Sequence, residues 1–146
     1  MKTLIAATII VLCLISCSGS DDPGDRVYTR WVWRTTYISD TAVGCTCETP
    51  ASQPLSGALE DPLTGKTTCN RSYNPTCGWY GEAQVTAWAD GSSITVLYQT
   101  PGQAPWFYVG EKTKVDSAAP QWTVAGRFYG GPIDGTNASG LLSGAE

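Results

Sequence analysis

The chain is predicted to be all-β: a small antiparallel meander, sandwich or barrel with a disulfide-braced loop region. From Arg26 onward no long segment repeats its apolar residues at the helical period, whereas several alternate with period two, as half-buried strands do. Asp90-Gly91-Ser92-Ser93 separates two such segments with hairpin turn chemistry, since glycine takes positive φ without strain. Cys45, Cys47, Cys69 and Cys77 fall in or beside a Pro- and Gly-rich stretch of about forty residues, longer than a compact domain leaves unorganised. Residues 26–129 are of ordinary size for a single domain.

The strands follow in order. Val27 to Ile38 places Trp31, Trp33, Thr35 and Tyr37 on one face and Tyr28, Arg30, Val32 and Arg34 on the other, and the tryptophan face is the natural core. Glu82 to Ala89 and Ile94 to Gln99 form the hairpin around Asp90-Gly91. Pro101-Gly102 marks a second turn, after which Trp106 to Val109 and Lys112 to Val115 read as short strands. Gln121 to Tyr129 carries Trp122, Val124, Gly126 and Phe128 on one side. Beyond Tyr129 the glycines and polar residues, relieved only by Leu141-Leu142, predict a flexible tail over residues 130–146.

Four cysteines permit three pairings. Cys45 with Cys47 is disfavoured because a ring across one intervening residue strains the bond, so Cys45 or Cys47 reaches Cys77 and the other takes Cys69. A zinc site is a poor fit: seven residues separate Cys69 from Cys77, and the chain has no histidine. A thiol-exchange enzyme would carry a βαβ pattern, which is missing. No metal or other cofactor is expected.

The N-terminus supplies the location. Lys2 precedes an apolar run from Leu4 to Ile15, the length of a signal core and too short for a membrane-spanning helix of about 20 residues. Leu14-Ile15-Ser16-Cys17 closes that run and resembles the lipobox of bacterial lipoproteins. The resemblance implies a signal peptide over residues 1–16, cleavage before Cys17, and lipid attached to the Cys17 thiol. The resemblance also implies three acyl chains on that cysteine, which anchor a protein durably, whereas one chain binds reversibly. Ser18-Gly19-Ser20-Asp21-Asp22-Pro23-Gly24-Asp25 has no apolar residue and makes 17–25 a hydrated tether. In such lipoproteins Ser18, rather than aspartate, after the cysteine implies an outer-membrane destination in the bacterial envelope.

With Lys2 removed, eight cations face thirteen carboxylates, and a balance of −5 argues against nucleic acid as a partner. The absence of histidine removes Ser-His-Asp and Cys-His catalysis. An enzyme would have to work through carboxylates such as Glu82, Asp90, Glu111 and Asp116, and a small glycan-acting periplasmic enzyme is the alternative reading. The leading expectation is a non-catalytic envelope lipoprotein that binds a protein or a glycan. An anchored β-domain with disulfides is also the layout of small lipoproteins that inhibit lysozymes, without their motif. Six tryptophans and seven tyrosines exceed what solubility needs, although aromatics also fill a core short of leucine and isoleucine. Trp79, Tyr80, Trp88, Trp106 and Tyr108 are the candidate binding rings, with Trp88 favoured because it shares the polar face of Glu82, Gln84 and Thr86. Arg30 and Arg34 lie on a polar face where solvation accounts for them.

Overall fold

The computed structural model describes residues 27–39, 42–70 and 75–146. The signal segment 1–16, Cys17 and the tether 17–25 lie outside the described residues. Among the described residues nine strands form one antiparallel sheet that closes on itself: β1 (Arg30–Ile38), β2 (Gly44–Glu48), β3 (Leu55–Ser56), β4 (Leu63–Cys69), β5 (Gly81–Asp90), β6 (Ser93–Gln99), β7 (Trp106–Val115), β8 (Gln121–Tyr129) and β9 (Asn137–Gly144). Of the three predicted β architectures, the barrel is the one adopted.

The barrel has eight staves because β2 and β3 share one. β2 lies against the second half of β1, from Arg34↔Glu48 to Ile38↔Gly44, and β3 against its start at Trp31↔Leu55. Both pair with β4 on their other side. The break between them is held to β1, since Thr49 N–H donates to the Trp33 carbonyl at 2.8 Å and Trp33 N–H to Thr49 Oγ1 at 3.3 Å. The Pro- and Gly-rich stretch therefore contains three strands, with the prolines at breaks and turns.

Three boundary expectations need correction. The segment after Tyr129 is not a loose tail. Its residues 137–144 form β9, paired to β1 from Trp31↔Gly144 to Thr36↔Ser139 and to β8 from Gln121↔Ser143 to Arg127↔Asn137. Its glycines, which read as disorder, are positions where neighbouring side chains need room. Trp106 to Val109 and Lys112 to Val115 are one continuous strand, because Gly110 faces Gly126 inside the ladder rather than ending it. The first strand begins at Arg30, three residues later than the alternation suggested.

The lumen is packed with rings. The predicted inner face of β1 is buried, with Trp33 and Thr35 at 0 % exposure, and Tyr98, Trp106, Tyr108 and Phe128 are equally enclosed. Trp33 lies 5.4 Å from Tyr108, Tyr108 5.3 Å from Phe128 and Phe128 5.7 Å from Tyr37 between ring centroids. Tyr98 stacks on Trp106 with an interplanar angle of 3°. Eight strands leave an interior just wide enough for side chains, and so many rings fit only where facing positions are small. Gly140 and Gly126 are such positions. A Cβ on Gly140 would sit 2.5 Å from Trp33 Cη2, and one on Gly126 2.7 Å from Tyr108 Cζ.

The cysteines also point inward and form Cys45–Cys77 and Cys47–Cys69. The strand register decides between the two pairings left open: Cys47 is directly opposite Cys69 in the β2–β4 ladder, with Cα atoms 3.9 Å apart. Cys45, one inward position along β2, reaches Cys77 in the short 3-10 turn Pro75–Cys77.

Gly140→Ala lowers stability by about 1 to 3 kcal/mol in urea denaturation, because the Trp33 ring must give way. Gly44→Ala, where a Cβ meets nothing within 4 Å, is neutral or gains up to about 1 kcal/mol. Equal effects at the two sites would contradict the packing. Non-reducing peptide mapping should return the two bridges above, and Cys47→Ser with Cys69→Ser should cost about 3 kcal/mol for a span of 22 residues.

Candidate functional site

Among the polar atoms of the lumen rings, those of Trp33, Tyr98 and Tyr108 are paired, while Trp106 Nε1 has no hydrogen-bond partner among the described residues. Trp33 Nε1–H donates to the Tyr98 hydroxyl at 2.7 Å, and the Tyr108 hydroxyl donates to the Ala138 carbonyl of β9 at 2.9 Å. Burial pushes the Tyr98 phenol far above its ordinary range and the Tyr108 phenol up to about 12. Burial also raises Tyr37, a hydrogen bond from Asn70 opposing it.

The distal end, where β1, β4, β6 and β8 finish, is stoppered by the chain around Cys77 and Trp79. Asn70 organises it from the left-handed region, at φ 44. Its Oδ1 accepts from Thr46 N–H at 2.9 Å, and its Nδ2 donates to the Trp79 carbonyl at 2.6 Å and to the Tyr37 hydroxyl at 3.2 Å. The Tyr37 hydroxyl in turn donates to the Cys77 carbonyl at 2.8 Å. Trp79 is half-buried and meets Trp106 edge to face at 4.8 Å.

The candidate binding rings therefore separate. Trp106 and Tyr108 are corrections: both are fully buried. Strand alternation turns them inward together and leaves Phe107, between them, on the outside. Trp79 belongs to the stopper, and Tyr80 beside it is 51 % exposed at the distal end. Trp88 is on the outer wall as its pattern implied, 39 % exposed.

Trp88 has company that sequence reasoning missed. Two adjacent outer rows cross β5 to β8: Trp88↔Thr95↔Val109↔Arg127, and Thr86↔Leu97↔Phe107↔Tyr129. Phe107, Val109 and Tyr129 are 38 %, 39 % and 49 % exposed, so Trp88, Leu97, Phe107, Val109 and Tyr129 make one apolar patch interleaved with threonines. The signal was present, because each patch residue has opposite parity to the inward residues of its strand. Knowing which strands are neighbours is what joins them.

A second feature adjoins the patch. Past Thr36↔Ser139 the β1–β9 ladder stops, while β1 stays with β2 as far as Ile38↔Gly44 and β9 stays with β8 as far as Arg127↔Asn137. The two strands part, and a cleft of about 1330 Å³ opens between them with Cys77, Gly78 and Ile133 among its lining. Arg127, Tyr129 and Asn137 line it as well.

The other candidates do not converge. Arg30 donates to the Glu146 carbonyl at 3.2 Å at the proximal end, and Arg34 lies on the outer face between Glu48 and Leu141. Glu82 pairs with Lys66 at 2.8 Å on the open wall. Glu82, Asp90, Glu111 and Asp116 do not line the cleft. The four cysteines of the zinc and thiol-exchange readings are consumed in disulfides. Compared with known proteins, the chain matches no family model, no curated protein and no solved structure.

The buried phenols predict an alkaline limit. In the unfolded chain they ionise near pH 10, while burial holds Tyr108 protonated to about 12 and Tyr98 beyond. The folded state then binds more protons than the unfolded one, so stability is retained below pH 10. It falls above that by about 1.4 kcal/mol per pH unit for each phenol. Absorbance at 295 nm and near-UV circular dichroism followed against pH should show these phenols ionising as the fold is lost. Full ionisation of all the tyrosines with the near-UV signal intact would contradict this.

Proposed function

We propose that the chain is a lipid-anchored, non-catalytic protein of a bacterial envelope, whose barrel docks a protein partner on the outer wall of β5 to β8. The observation that carries this reading is the contiguous patch of Trp88, Leu97, Phe107, Val109 and Tyr129. Single exposed apolar residues are ordinary on a protein surface, but a continuous set rimmed by polar residues marks an interaction site. Its chemistry favours protein over sugar: branched Val109 and Leu97 stand among the rings, and aromatic anchors set in aliphatic surface are typical of protein interfaces.

The anchor rests on the lipobox-like Leu14-Ile15-Ser16-Cys17. Nine tether residues reach at most about 30 Å, so the partner would lie close to the same membrane. Two observations support a binding role over a catalytic one. Rings fill the lumen, and the candidate carboxylates stand on open wall or in turns.

Two measurements test the reading. Intact mass and membrane fractionation should show an acylated, membrane-bound protein that becomes unmodified and soluble with Cys17→Ser, and an unmodified wild-type chain would remove the anchor. A photoreactive side chain at Thr95, in the centre of the patch, should trap one discrete protein adduct in cells. The adduct should be absent when the probe is at Thr123 and lost with Trp88→Ser plus Phe107→Ser. Identical adducts at both positions, or none at Thr95, would remove the docking wall.

A further inference from the structure

We infer that the cleft between β1 and β9 is a second binding site, for a saccharide bearing a carboxylate. Arg127 supplies the charge. Its Nε–H donates to Asn137 Oδ1 at 3.1 Å across the β8–β9 pair, which orients the guanidinium, and its terminal amines have no partner among the described residues. Because Asn137 presents its oxygen to Arg127, its amide NH2 remains a donor. The two residues form a donor-only pair, and a guanidinium held in plane suits bidentate grip on a carboxylate.

The rest of the lining selects what carries the carboxylate. The nearby acid, Asp134, accepts the Gly130 N–H at 2.7 Å within the hairpin turn and makes no ion pair with Arg127. Thr36, Thr136 and Ser139 bring hydroxyl-bearing side chains to the lining, matching a ligand rich in hydroxyls rather than an aliphatic one. Tyr129, half exposed at the rim, offers a flat ring against which a pyranose face can stack. A cleft of about 1330 Å³ exceeds a single small-molecule site and leaves room for a short oligosaccharide. The cleft borders the docking wall at Val109, Arg127 and Tyr129, and the inference rests on Arg127 and the hydroxyl lining rather than on the apolar patch.

The test is titration of the purified barrel domain, chemical shifts or calorimetry as readout, with three probes: a galacturonic acid trimer, the neutral galactose trimer and a Glu-rich tripeptide. The acidic sugar should bind, with the neutral sugar and the peptide each weaker by about tenfold or more. Arg127→Gln should lose about the same factor for the acidic sugar and leave the neutral sugar unchanged, while Trp88→Ser plus Phe107→Ser should change neither. Arg127 is exposed, so the variant should keep its circular dichroism spectrum. Several results would overturn the site: no binding of the acidic sugar below about 10 mM, equal binding by Arg127→Gln, or preference for the peptide.

Discussion

The pairing of β9 with β1 is the constraint on which everything else rests. Without it, eight staves form an open sheet with two exposed edges and no enclosed interior, and an exposed edge invites pairing with other chains. With it, every inward row is surrounded. The seam is also closely packed, because the Trp33 ring of β1 covers Gly140 of β9 and the Tyr108 hydroxyl donates to the Ala138 carbonyl of the same strand. A polar, glycine-rich segment closes the barrel because its lack of side chains admits rings from the neighbouring strands.

That seam also sets where binding can occur. Rings fill the lumen, unlike the hollow interior of barrels that hold a ligand inside. Recognition is left to the outer wall and to irregularities in the sheet. One irregularity follows directly from the seam: β1 and β9 part after Thr36↔Ser139, each retaining its other neighbour, and the cleft occupies the gap. Wall and cleft differ in chemistry. The wall is aromatic and aliphatic, the cleft carries several hydroxyls and one guanidinium, and the two adjoin at Val109 and Tyr129.

The disulfides secure the side of the barrel that hydrogen bonding secures least. The β2/β3 stave is broken and short, and the chain after β4 returns over the distal end through a 3-10 turn. Cys47–Cys69 ties the broken stave to β4, and Cys45–Cys77 ties the stopper to the stave. Asn70 adds a third tie through its three side-chain bonds. The stopper also forms part of the cleft, since Cys77 and Gly78 line it, so the bridges that stabilise the fold shape the cleft too.

Much of the fold was legible from local pattern. Period-two alternation identified β1, β5, β6 and β8, with the inward face of β1 and the outward face of β5, and Asp90-Gly91 identified the hairpin, because both depend on residues close in sequence. The same alternation put Trp88 outside. Closure was not legible, because Gly140 and Gly144 read as disorder until Trp33 and Tyr28 are brought beside them. Nor was the fate of Trp106 and Tyr108, whose short strand had rings on both faces and no local sign of which faced in. The disulfide pairing waited on the register of β2 against β4. The sequence by itself determined most strands, the turns and several faces, each encoded by neighbouring residues. Only the tertiary structure decided the closed barrel, the patch spread over four strands and the cleft, because each depends on pairings between residues far apart in the chain.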